Sequence, residues 1–126
     1  MWSVKALAGV LLLLALGAGP LASQTQADMN AQVGAELEAS DQRLNTAYRA
    51  LRAKISEAGR GRLQAAQQSW LRFRDQECTF ETAGTVGGSI HGMMVALCQK
   101  RLIDQRTADL EKLLNCQEGD LSCAGL

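Results

Sequence analysis

The chain has 126 residues, 47% of them hydrophobic, which suits one small domain and leaves no room for a second core. Thirteen basic and thirteen acidic side chains balance to zero, and loss of Lys5 with an N-terminal leader gives −1. That balance argues against a nucleic-acid partner, which needs a basic face, and against strong steering by net charge.

The first element in chain order is an export signal. Lys5 precedes Ala6–Ala18, a run of apolar and small residues centred on Leu11–Leu14, and Gly19-Pro20 breaks it. A span across a bilayer of roughly 30 Å needs about 20 apolar residues, so this run is too short. Residues 1–27 are therefore read as a signal peptide cleaved between Ala22 and Ala27, and no membrane association is expected afterwards. The mature part, about 100 residues, would bury only about 60–68% of its unfolded surface and needs further stabilisation.

Three helical segments are expected in that part. Val33, Leu37, Leu44, Tyr48, Leu51 and Ile55 place an apolar stripe on a helix over about Asp28–Ala58. Gly59 and Gly61 then mark a turn. Leu63, Ala66, Trp70, Phe73 and Glu77 give a second stripe over about Arg62–Phe80, facing the core. The glycine-rich stretch "AGTVGGSIHG", Ala83–Gly92, is the second turn. A third helix over about Ser89–Leu114 carries Met94, Leu97, Cys98, Leu102, Ile103, Leu110 and Leu114, with Ser89 as its N-cap. No segment alternates like a strand, so an all-α, antiparallel three-helix bundle follows, with 28–114 as its domain. Residues 115–126 form a short polar tail.

All four cysteines lie in the mature part, and export makes disulfides the default. Three pairings are open. Cys78–Cys98 and Cys116–Cys123 are favoured because each closes a local loop, contributing about 3 and 2.5 kcal/mol on the chain-entropy model. No CxxC spacing exists and His91 is the only histidine, so no metal site is expected, and no cofactor either.

Chemistry finds little support. Asp75 and Glu77 point to different helix faces and give no acid–base pair. His91 sits in a glycine turn with no acid to orient it, so nucleophilic catalysis lacks its base and an enzyme is not expected. "GTVGGS" lacks the GxxxxGK[ST] pattern and a preceding strand, which removes a phosphate loop. Arg72 is expected in solvent. Arg74, at the edge of the stripe, should stack on a ring or pair with Asp41, Asp104 or Asp109. The exposed turn carrying Thr85, Val86, Ile90 and His91 is the candidate protein-binding loop.

"LNTAY" (Leu44–Tyr48), "LQAAQQSWLRFRDQEC" (Leu63–Cys78), "GGS" (Gly87–Ser89), Cys98 and "RTADL" (Arg106–Leu110) appear in an order that resembles the LprI-like lysozyme-inhibitor domain family. The resemblance covers roughly Asp41–Leu114. It implies a small helical envelope domain with a Cys78–Cys98 disulfide and Gln67, Trp70, Arg74, Asp75, Cys78, Gly87, Gly88, Ser89, Cys98, Arg106 and Leu110 as motif positions. It also implies a protein partner, lysozyme or another muramidase, met in the periplasm or outside the cell. A non-catalytic envelope module with a different partner is the alternative. Cys116 and Cys123 lie outside the shared pattern, and the oligomeric state is left open.

Overall fold

The computed structural model describes residues 24–117, 119–121 and 123, so most of the expected signal peptide lies outside the described residues. Among the described residues three helices make the fold: α1 (Gln26–Lys54), α2 (Glu57–Glu81) and α3 (His91–Leu114), with one 3₁₀ turn at Ala83–Thr85. No strand occurs among the described residues.

Helix α1 starts at Gln26, ahead of the expected Asp28, because a capping box sets its start. The Thr25 hydroxyl accepts from the Asp28 N–H at 3.1 Å, and the Asp28 carboxylate accepts from the Thr25 N–H at 3.0 Å. The Thr25 hydroxyl also donates to that carboxylate, and these bonds hold the Asp28 pKa below its ordinary value. The expected stripe faces inward: Leu44, Leu51 and Ile55 are buried, joined by Ala47 and Ser40, with Leu37 and Tyr48 packed against them.

The first turn lies earlier than expected. Gly59 and Gly61 are inside α2, and the chain bends at Ile55-Ser56. Ile55 is extended (φ −99°, ψ 160°) and 8% exposed, so core packing pulls it out of the helix. Ser56 then caps α2, its hydroxyl accepting from the Gly59 N–H at 3.1 Å. The first turn of a helix leaves its N–H groups to such caps, so a glycine there costs less than it would mid-helix.

Helices α1 and α3 run parallel along each other. Gln26 reaches Met93, Arg43 reaches Asp104, and Lys54 reaches the Leu114 carbonyl, so both numbers rise together. Leu44, Ala47, Leu51 and Ile55 of the first meet Ile103 and Leu110 of the other, and Leu110 is 0% exposed. Helix α2 returns antiparallel and is attached differently, for Cys78 is its only fully buried residue. Phe73, expected in the core, is 49% exposed. The inward face of α2 runs instead through Leu63, Gln67, Trp70, Arg74 and Cys78, one position off the purely apolar stripe.

Helix α3 differs from expectation at its start. It begins at His91, with Ile90 in the N-cap position and no side-chain cap, so Ser89 does not cap it. Met94 and Leu97 are 36% and 39% exposed; the inward residues are Cys98, Leu102, Ile103, Thr107 and Leu110. Disulfides join Cys78 to Cys98 and Cys116 to Cys123, with Cα–Cα distances of 5.7 Å in both.

Candidate functional site

The connection between α2 and α3 is built from the disulfide outward. Thr82, 4% exposed, follows Cys78 by one helical turn, and its hydroxyl donates to the Cys78 carbonyl. The Thr85 hydroxyl lies 2.8 Å from the Thr82 carbonyl and 2.8 Å from His91 Nδ1. One hydroxyl has one proton. Donating it to the carbonyl leaves Nδ1–H of His91 as donor to Thr85, which assigns the tautomer and leaves Nε2 as acceptor. Backbone bonds from Gly88 N–H to Thr85 and from His91 N–H to Gly88 close the turn.

The two adjacent glycines have separate reasons. Gly87 has φ +82°, in the left-handed region. A Cβ on Gly88 would stand 3.1 Å from the Thr85 carbonyl oxygen. This frame holds Thr85 and His91 half-buried and leaves Val86 71% and Ile90 40% exposed. Ser89 is exposed beside them. The N-terminus of α1 lies at the same end, since Gln26 contacts Met93.

Of the remaining motif residues, Gln67 and Arg106 bridge the α2–α3 seam, whereas Leu110 lies in the α1–α3 core and Asp75 is exposed. Arg106 Nε donates to Gln67 Oε1 at 3.0 Å. Burial pushes the Arg106 pKa down, while the Asp109 charge opposes the shift. Arg74 stacks over Trp70, 5.8 Å from its ring centroid, and pairs with Asp75 at 2.7 Å. Stacking was one of the two expected outcomes; the ion pair is with its neighbour in sequence and not with Asp41, Asp104 or Asp109. Asp41 does line a shallow groove of about 260 Å³ with Arg74, Glu38, Leu37 and Ile103. Arg72 is exposed as expected, bonded to Ser69.

Sequence reasoning missed the Gln67–Arg106 bond as a contact, although Gln67 lies on the same face as Trp70 and Cys78. It also missed Thr82, whose spacing of four from Cys78 was the available signal.

Two of the acids that chemistry would draw on are each held by one arginine. Asp75 is held by Arg74, and Glu81 receives Arg101 at 2.6 Å. Cys116, Asp120 and Cys123 gather ligand-type atoms within 4.8 Å, but the two sulfurs are bonded to each other and so offer no thiolate.

Fold and site together define a small all-α protein stapled by two disulfides, with a hydrogen-bonded turn displayed at one end. The chain belongs to the lysozyme inhibitor LprI family, whose family model matches residues 19–110. An uncharacterized protein of Rhizobium meliloti (strain 1021) is 33% identical over 107 residues, covering 75% of this chain and 77% of the relative. No solved structure matches.

Proposed function

We propose that this protein is exported by a signal peptide within residues 1–27 and that its 28–114 domain binds and inhibits a lysozyme or related muramidase without catalysis of its own. Membership of the lysozyme inhibitor LprI family carries this reading. Support from the geometry is the turn: Val86 and Ile90 are apolar and exposed on a frame fixed by Thr82, Thr85, His91 and the Cys78–Cys98 bond. A loop held in its binding conformation loses little entropy on docking, which suits insertion into an enzyme cleft.

Purified protein at about micromolar concentration should slow the lysis of peptidoglycan by lysozyme. The few residues that dominate an interface are each worth about 2 kcal/mol or more. Replacing Ile90 and His91 by serine and alanine should therefore raise the half-inhibitory concentration about tenfold or more. An unchanged lysis rate across a panel of lysozymes would remove the inhibitor reading. Recovery of a single non-muramidase envelope protein on the immobilised domain would then favour the alternative, an envelope interaction module.

A further inference from the structure

The near-zero net charge conceals a segregation. From Arg43 to Arg74 the chain carries eight basic residues (Arg43, Arg49, Arg52, Lys54, Arg60, Arg62, Arg72 and Arg74) and a single acid, Glu57. Five of them, Arg49 to Arg62, collect where α1 bends into α2. All five are exposed. The ion pairs of the molecule involve Arg43, Arg74, Lys100 and Arg101, and none of the five takes part in one among the described residues.

Local structure accounts for only part of this. Arg52 and Lys54 stand in the last turn of α1, where cations complement the helix dipole. Arg60 and Arg62 stand near the start of α2, where the dipole opposes them. Arg60 is drawn over the bend by a bond from its Nε to the Arg52 carbonyl at 2.9 Å, which brings two arginines together. Lys54 lies to the other side, sharing a hollow with Asp120 of the tail. The remaining patch is four arginines: Arg49, Arg52, Arg60 and Arg62.

Contrary to the expectation of no membrane association after cleavage, we propose that this corner docks on a bilayer surface rich in anionic phospholipid headgroups. Guanidinium forks match phosphate oxygens in pairs, and the patch is arginine almost throughout. Of the large exposed apolar residues only Leu121, in the tail beside Asp120, stands at this end of the bundle, so contact is chiefly with headgroups. The exposed aromatics Phe73 and Phe80 lie beyond it, leaving no stacking platform for a sugar polymer. Helix α2 has 25 residues, about 37 Å at 1.5 Å each, so a protein held by this corner projects its glycine turn away from the lipid.

The test is co-sedimentation of the protein, as isolated from cells, with phosphatidylcholine vesicles and with vesicles containing about one part phosphatidylglycerol to two of phosphatidylcholine. Each cation near such a surface gives roughly a fivefold factor, attenuated by salt. The anionic vesicles should bind at least about thirtyfold more strongly than neutral ones at low salt. Arg49→Gln, Arg52→Gln, Arg60→Gln and Arg62→Gln together should abolish that difference, with helicity checked by circular dichroism. The four lysine replacements should retain most of it. Glu36→Gln, Glu38→Gln and Asp41→Asn raise net charge by three at a distance from the patch and should alter binding little. Equal binding to both vesicle types, an unaffected glutamine variant, or binding to purified cell-wall polymer without binding to vesicles would overturn the assignment.

Discussion

The α1–α3 pair and helix α2 are held in place by different physics. Along α1 and α3, leucine, isoleucine and alanine side chains close against each other, and Leu44, Leu51, Ile103 and Leu110 are at most 2% exposed. Burial of that kind tolerates similar side chains and depends on total volume. Helix α2 buries one residue fully and is tied down by named contacts: the Cys78–Cys98 bond, the Arg106–Gln67 bond and the Arg101–Glu81 pair. A helix attached by specific bonds needs specific residues. That is why the most recognisable part of the sequence, "QQSWLRFRDQEC", belongs to the least buried helix.

Two substitutions break this comparison from opposite sides. Leu110→Ala empties space in the α1–α3 core and should cost about 3–5 kcal/mol in a urea titration. Leu63→Ala, half-buried on α2, should cost about 1 kcal/mol, and equal losses would show that α2 shares the core fully. Replacing Cys78 and Cys98 by serine should cost about 3 kcal/mol, again by urea titration. Its signature lies in hydrogen exchange: α2 amides should lose protection first, while those around Leu44 and Leu110 keep theirs. Uniform loss across all three helices would mean that α2 cannot detach. Opening Cys116–Cys123 should matter less than its loop length suggests, because that bond joins the end of α3 to a tail whose described residues lie outside the core.

The same contrast decides what could be read from the sequence. The α1 stripe was legible because five of its six apolar residues at helical spacing lie in the core or pack against it. Helix α2 misled because its inward face carries Gln67 and Arg74, which a search for apolar periodicity skips in favour of Phe73. The family motif named those two residues without giving their partners. For Gln67 the partner is an arginine 39 residues away, which no local pattern reveals. The bend was misplaced because two glycines signal a turn more loudly than one serine, yet Ser56 holds the cap and Ile55 the buried position. On α3, Met94 and Leu97 are helically spaced with Cys98, but α1 and α2 cover the other side of the helix. Net charge hid the basic corner because the acids compensating it lie elsewhere in the chain.

The smallest expected effect probes the α1–α3 side alone. Asp104 of α3 is partly buried, which by itself would raise its pKa. Bonds from Lys100, Ser40 and Arg43 together outweigh that and bring it below the ordinary 3.8. Two of those partners belong to α1, so this carboxylate is a polar seam between the two parallel helices. A carboxylate with a depressed folded pKa contributes stability that is present above its unfolded value and is lost as pH falls through the folded one. Unfolding free energy should therefore decline below about pH 4, with a contribution from Asp104 well under about 1 kcal/mol because its side chain is 39% exposed. In urea titrations between about pH 2 and 6, Asp104→Asn should flatten part of that decline. Asp28, also depressed by Thr25, titrates in the same window, so in a chain that keeps Thr25 Asp28→Asn should flatten a further part through the α1 cap. A slope unchanged by Asp104→Asn would show that Arg43 and Lys100 gain nothing from it, leaving the α1–α3 attachment to the apolar stripe and the contacts of Gln26 and Lys54.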